Sequence, residues 1–376
     1  MYVLKTAVAL LLAAPAFAAE GAPAPAALIA HEWGTFTSVA GDDGNPVPWS
    51  PLAGPSDLPC FVLHGLQRKF EVGPSLVRME TPVLYFYTPR PMTLSVKVAF
   101  PQGRITEWYP QTGAGTPAQD VYSQIAWNPV ELLPGDDPAF PTGKAASHYY
   151  AARNTDASSL RIGQQDEKMI FYRGVGSFSP PVRPAFASDG RLEVRNAGSE
   201  PIPAMILFEN RSGKIGYRFI PHLDDRSARV DTPELTGDLE TLRANLASTL
   251  VEFGLYPKEA AAMIETWRDS WFEEGMRVFY IVPRAKVDSL LPLAIQPAPT
   301  GISRVFVGRI EILSPAMRET IETALTTGDV PQLQKYGRFL DPFLEMINRN
   351  FAPIQSPAAA SFLRSRYNAV APSCAQ

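Results

Sequence analysis

Two short phrases put a carboxylate beside the residues that would put it to use. "VRMETP" holds Arg78 and Glu80, and "TEWYP" holds Glu107 and Trp108. A pair of carboxyl groups, one protonated and one ionised, is the equipment of glycoside hydrolysis. Trp33, Trp108 and Tyr109 would offer flat faces to the apolar sides of a sugar. On this reading Glu80 or Glu107 is the general acid or base, Arg78 holds an anionic group or lowers a carboxyl pKa, and Trp108 stacks. Arg78 and Glu80 are two apart, so in a strand they share a face. "HEWGTFTS" adds His31 and Glu32 as further ligand-binding residues. With His222 and Asp224 of "PHLDDR" they could make a mixed nitrogen and oxygen metal site, without the tight spacing of a metal motif. A third reading makes all of these structural. Arg78 then pairs with Glu80 or Glu107, His31 bonds a buried carbonyl, and the tryptophans fill core. The three readings stay open on sequence alone, and so do the identity of any metal and any cofactor.

Other candidates have plainer explanations. Trp267 and Trp271 lie on one helical stripe and read as core. His64 and His148 stand in loop-like segments without an obvious partner, and Asp136 and Asp137 of "PGDDP" read as a solvated turn. "GVGSFS" (174–179) follows a strand without opening a helix, so it reads as a turn rather than a phosphate cradle. "GDDGN" (41–45) lacks the ligand spacing of a calcium loop and reads as a hairpin turn. The chain has no G-x-S-x-G elbow, no P-loop and no H-E-x-x-H. Cys60 and Cys374 are its two cysteines, too few for a thiolate metal site. In an oxidising compartment they would pair and tie down the tail.

The elements that must position these residues change in kind along the chain. From 30 to 230 the pattern is strand and turn. In "LSVKVAF", Leu94, Val96, Val98 and Phe100 alternate with Ser95, Lys97 and Ala99, the period of a half-buried strand. "VRMETPVLYFY", "RITEWYP", "KMIFYRGVGSF" and three strands in 190–221 continue the series. The segment from about 110 to 165 reads as loops with one strand at "VYSQIAW". Many short strands with turns between them predict a β-sandwich-like domain. The 37 prolines in 376 residues, about twice the usual share, fit that reading. From 231 to 352 the period becomes helical. Leu235, Leu239, Leu242, Leu246 and Leu250 form one stripe, with Thr232 as N-cap, Pro233 at the first helical position and Gly254 as the stop. "PKEAAAMIETWRDSWFEEG" gives a second helix, paired with the first across "GLYP". Strands at "MRVFYIVP" and "SRVFVGRIEIL" follow, then helices broken before Pro342. The expected fold is therefore mainly β with α: a sandwich-like domain at 30–230, a smaller α/β domain at 231–352, and a tail at 353–376.

The start of the chain addresses the compartment. Lys5, the apolar run "TAVALLLAA" and "AFA" ending at Ala18 form a secretory signal peptide over 1–19. An Ala- and Pro-rich leader follows at 20–29. No later run of 18 apolar residues predicts a transmembrane segment. The net charge of −4, with no basic run, argues against nucleic acid. The expected protein is exported, periplasmic or secreted.

The phrases "HEWGTFTS", "VRMETPVLYFY", "TEWYP", "TWRDSWFEEGMRVFY" and "RVFVGRIEIL" resemble, in this order, those of a family of exported bacterial proteins. The resemblance covers most of the mature chain. It implies bacterial export and brings no site residues with it. The expected function is binding of an extracytoplasmic small molecule or glycan, or another envelope component. Hydrolysis, by Glu80 and Glu107 or by a His/Asp/Glu metal site, and a scaffold role are the alternatives.

Overall fold

Nearly every residue of "IAHEWGTFTSVA" is buried, polar ones included, so this strand lies between neighbours on both sides and layers on both faces. The computed structural model describes residues 27–52, 58–65, 74–112, 123–143, 147–223, 226–348 and 356–368. The strands, in chain order, are β1 (Ile29–Ala40), β2 (Leu63–His64), β3 (Val77–Tyr87), β4 (Met92–Ala99), β5 (Gly103–Tyr109), β6 (Gln124–Leu133), β7 (Ser159–Ile162), β8 (Gln165–Glu167), β9 (Ile170–Gly176), β10 (Val182–Phe186), β11 (Leu192–Asn196), β12 (Met205–Arg211), β13 (Lys214–Ile220), β14 (Ser227–Val230), β15 (Gly275–Ile281), β16 (Leu293–Gln296) and β17 (Gly301–Ile312). The helices are α1 (Leu239–Glu252), α2 (Pro257–Trp271), α3 (Arg284–Leu290), α4 (Pro315–Thr327), α5 (Val330–Gln334), α6 (Leu340–Asn348) and α7 (Pro357–Asn368).

The protein is mainly β, with several sheets and a few helices, as its sequence predicts. Its backbone is a nine-stranded sheet in the order β13-β12-β15-β17-β1-β3-β9-β5-β2. All pairings in it are antiparallel except β1 with β17, which runs parallel from Ile29↔Gly301 to Ala40↔Ile312. The expected boundary at residue 230 does not divide this sheet. β15 and β17, from the far side of it, are hydrogen-bonded between β12 and β1.

The large sheet has two covered faces. On one, Trp33, Val83, Tyr85, Phe171, Phe279, Val305 and Val307 pack with Leu242, Leu246 and Leu250 of α1 and Met263, Trp267 and Trp271 of α2. On the other, Ala30, Phe86 and Ile170 share a core with Leu94, Val96 and Val98 of β4 and Ile125 and Trp127 of β6. β4 and β6 belong to a five-stranded sheet, β16-β4-β6-β7-β8, and β10, β11 and β14 form a third, smaller one.

The alternation expected in "LSVKVAF" is present, with Leu94, Val96 and Val98 buried and Lys97 exposed. The first helix starts later than its leucine stripe suggests. Asp238 caps it, accepting a 2.8 Å bond from the Thr241 amide. Residues 233–237 run instead along β13, where the Gly237 amide bonds the Ile215 carbonyl. The last helical stretch breaks at 335–339, and Pro342 lies in the first turn of α6, where its missing N–H costs nothing.

Candidate functional site

Strand parity sorts the residues picked out from sequence. His31, Arg78, Glu80 and Glu107 lie on the α2 face of the large sheet. Glu32 and Trp108 lie on the other. Glu32 is fully buried between the sheets, where Arg304 Nε bonds its Oε2 at 2.5 Å and the Tyr172 hydroxyl donates to its Oε1. Trp108 packs in the core of that same face, against Gly65, and offers no stacking shelf beside Glu107. This corrects the sugar-platform reading for Trp108 and separates Glu32 from His31. The expected metal set does not assemble either. Among the described residues no three His, Cys, Asp or Glu side chains could share an ion, and Asp224 lies outside them. Cys60 holds no free thiol, and Cys374 too lies outside the described residues.

What the fold brings together lies under the C-terminal end of α2. Cross-strand register builds the floor. Thr37 pairs with Arg78 on one side and Arg309 on the other, and Thr35 pairs with Glu80. Arg309 is fully buried and spends its guanidinium on Glu311 Oε1 (2.6 Å), Ser270 Oγ (2.7 Å) and Glu273 Oε1 (2.7 Å). Arg277 shares Glu311 at 3.0 Å and donates to the carbonyls of Trp271 and Glu274, which fixes the end of α2. Burial pulls the Arg309 pKa down, but the carboxylates of Glu311, Glu273 and Glu80 outweigh it and raise it.

Glu80 is the centre of the site. Arg338 NH1 lies 2.5 Å from its Oε1, and Arg78 Nε lies 3.7 Å away. Oε2 makes no hydrogen bond among the described residues. Burial raises the pKa of this carboxyl. Arg338, Arg78 and Arg309 together overcome that and hold it below the ordinary value, so Glu80 is an anion at neutral pH. It therefore has no proton to give as a general acid. Around it, Thr35 Oγ1, Thr37 Oγ1 and Arg338 Nη2 are buried and also make no hydrogen bond among the described residues. The neighbouring Thr81 has φ of +46°, in the left-handed region that a β-branched residue avoids. Its hydroxyl accepts two 3.3 Å bonds from Arg173, which lies in register with Glu107. Strain of this kind gathers at functional sites.

Several of these residues escaped sequence reasoning: Thr35, Thr37, Thr81, Arg309, Glu311 and Arg338. A signal was available for two. Arg309 and Glu311 in "GRIEIL" repeat the two-apart arrangement of Arg78 and Glu80, inside a run too apolar to be a surface strand.

No family profile matches the chain, and no curated protein does. Among solved structures, the chain is similar to the yeast delta-COP-I mu-homology domain, with 10% identity and a TM-score of 0.30 over 76% of this chain and 95% of that one. A likeness that low carries no argument about fold or function. No helix among the described residues is long and apolar enough to cross a membrane.

Proposed function

We propose that this chain is an exported protein that binds a hydroxylated ligand of the cell envelope, a carbohydrate, in the site around Glu80. One observation carries the reading. Among the described residues, an ionised, buried carboxylate keeps an oxygen without a donor, while two buried threonine hydroxyls and a guanidinium N–H beside it also lack partners. Buried polar groups are ordinarily satisfied, and leaving one unmade costs about 1–3 kcal/mol. A sugar supplies the missing partners in one molecule. Its hydroxyls donate to Glu80 Oε2 and accept from the threonines and Arg338. The N-terminal pattern of charge, apolar run and A-x-A supports the export part.

Titration calorimetry of the mature protein against fragments of bacterial envelope glycans tests the binding. At least one glycan should bind. Glu80→Gln and Thr35→Val should each weaken it at least tenfold while circular dichroism stays unchanged. Unaltered affinity in both variants, or no binding by any glycan, overturns the reading. Fractionation and N-terminal sequencing of the protein expressed in a bacterium tests export. The mature chain should start near Ala19.

A further inference from the structure

Away from Glu80, the large sheet and α1 leave a gap between them. Alternation along β15 turns Phe279 and Ile281 to the helix-covered face. Register sets Ile206 of β12 beside Phe279 and Phe219 of β13 beside Ile206, with Val307 of β17 beside Ile281. Leu246 and Leu250, one helical turn apart, pack into the same core from α1. Together these side chains line an apolar cavity of about 260 Å³. Protein interiors keep few voids larger than a water molecule, and an apolar cavity of about 150 Å³ is enough to take up benzene. Two exposed lining residues, Phe219 on the edge strand β13 and Glu252 in the last turn of α1, show where the cavity meets solvent. Phe219 and Val251, the residue before Glu252, are two of the four large apolar side chains exposed among the described residues. Apolar side chains left in water beside an apolar cavity mark a place where a ligand covers them. Glu252 is the only charged side chain in the lining, and its carboxylate makes no hydrogen bond or ion pair among the described residues. The Thr249 hydroxyl, one turn from the same mouth, donates to the Asn245 carbonyl at 3.0 Å.

We propose that this cavity binds a single-chain aliphatic amine taken up from solution, with the chain between α1 and the sheet and the ammonium group at Glu252. The chain follows from the lining. Ile206, Phe279, Ile281 and Val307 on one side and Leu246 and Leu250 on the other present hydrocarbon, against which an aliphatic chain loses its hydration without leaving a polar group unpaired. The head follows from charge. A carboxylate-headed chain would set its anion against Glu252, with no cation in the lining to receive it. A hydroxyl head would gain little from the charge of Glu252, whereas an ammonium group is attracted by it. The pair forms in water at the mouth, so it selects among heads while the chain provides most of the affinity. Binding is non-covalent. The site shares no residue with the one around Glu80, so either can fail without the other.

Titration calorimetry of the whole mature protein at low salt tests this, with butylammonium, hexylammonium, octylammonium, octanoate and octanol, each below the concentration at which it aggregates. Affinity should rise about fourfold for each methylene added to the amine. Octylammonium should bind about three- to tenfold more tightly than octanoate. Glu252→Gln, a change at an exposed position, should remove that preference and keep the dependence on chain length. Ala204→Phe and Thr249→Phe each add bulk at a partly buried lining position without emptying the core, and each should abolish binding of all the chains. Circular dichroism checks that these two variants are folded. No binding of octylammonium, affinity that does not change with chain length, octanoate bound as tightly as octylammonium, or binding that persists in both filled variants overturns the proposal.

Discussion

Thr35 is a buried threonine whose hydroxyl bonds nothing among the described residues, and that makes it a sensitive probe of what the site is for. Thr35→Val keeps the shape and removes the unpaired group. It should raise the melting temperature by about 2–4 °C, an effect of about 1 kcal/mol, while it weakens the ligand. Glu80 responds to acid instead. Its folded pKa lies below the ordinary 4.5, so the stability it contributes is complete above that value and is lost as pH falls through the folded pKa. A plot of melting temperature against pH from about 5 to about 2 should therefore be flatter for Glu80→Gln than for wild type. At neutral pH the variant should be less stable by about 1–3 kcal/mol, because Arg338 and Arg78 lose their anion. At this scale the sequence was half legible. The two-residue spacing put Arg78 and Glu80 on one face, where they are. Glu32 and Trp108 were grouped with them although a one-residue difference in strand parity decides the face, and bulges such as those in β3 and β5, which shift that parity along a strand, leave little trace in composition.

Glycine at position 308 decides how β17 can be packed. Tyr280 of β15 lies directly across from it, and a Cβ there would come within 2.0 Å of the tyrosine ring. Gly308→Ala should cost about 1–3 kcal/mol by overpacking in urea unfolding. Tyr280→Val should also destabilise, by vacating core, yet the double variant should be less damaged than the two single losses added together. Elements as such were the most readable part of the sequence. The strand at β4 and the buried stripe of α2 followed from periodicity alone, because a face that must be buried writes its period directly into the chain. The start of α1 did not. The leucine stripe runs back to Leu235, but pairing of the 233–237 segment along β13 competes with helix there and prevails.

The pairing of strands is a property of the whole molecule, and local pattern says little about it. β1 finds its parallel partner 272 residues away, and β15 and β17 complete a sheet begun by the first strands. A fragment ending at residue 230 should therefore not fold. It would leave β1, buried on both faces, as a bare sheet edge. Circular dichroism and proteolysis of 27–230 should show an unfolded or aggregated chain, and co-expression with 231–376 should recover soluble protein if the two halves reassociate. A protease-resistant 27–230 would contradict this. The same pairing also sets a schedule. Synthesis delivers the N-terminus first, and at about 5–20 residues per second β1 waits roughly 15–55 s for β17 to exist. Throughout that interval one of the most completely buried stretches of the protein has no permanent neighbour on one side. The sheet that makes the finished molecule hard to divide thus makes the nascent chain dependent on whatever shelters it, and the order of manufacture, rather than the final energy, becomes the step most exposed to failure.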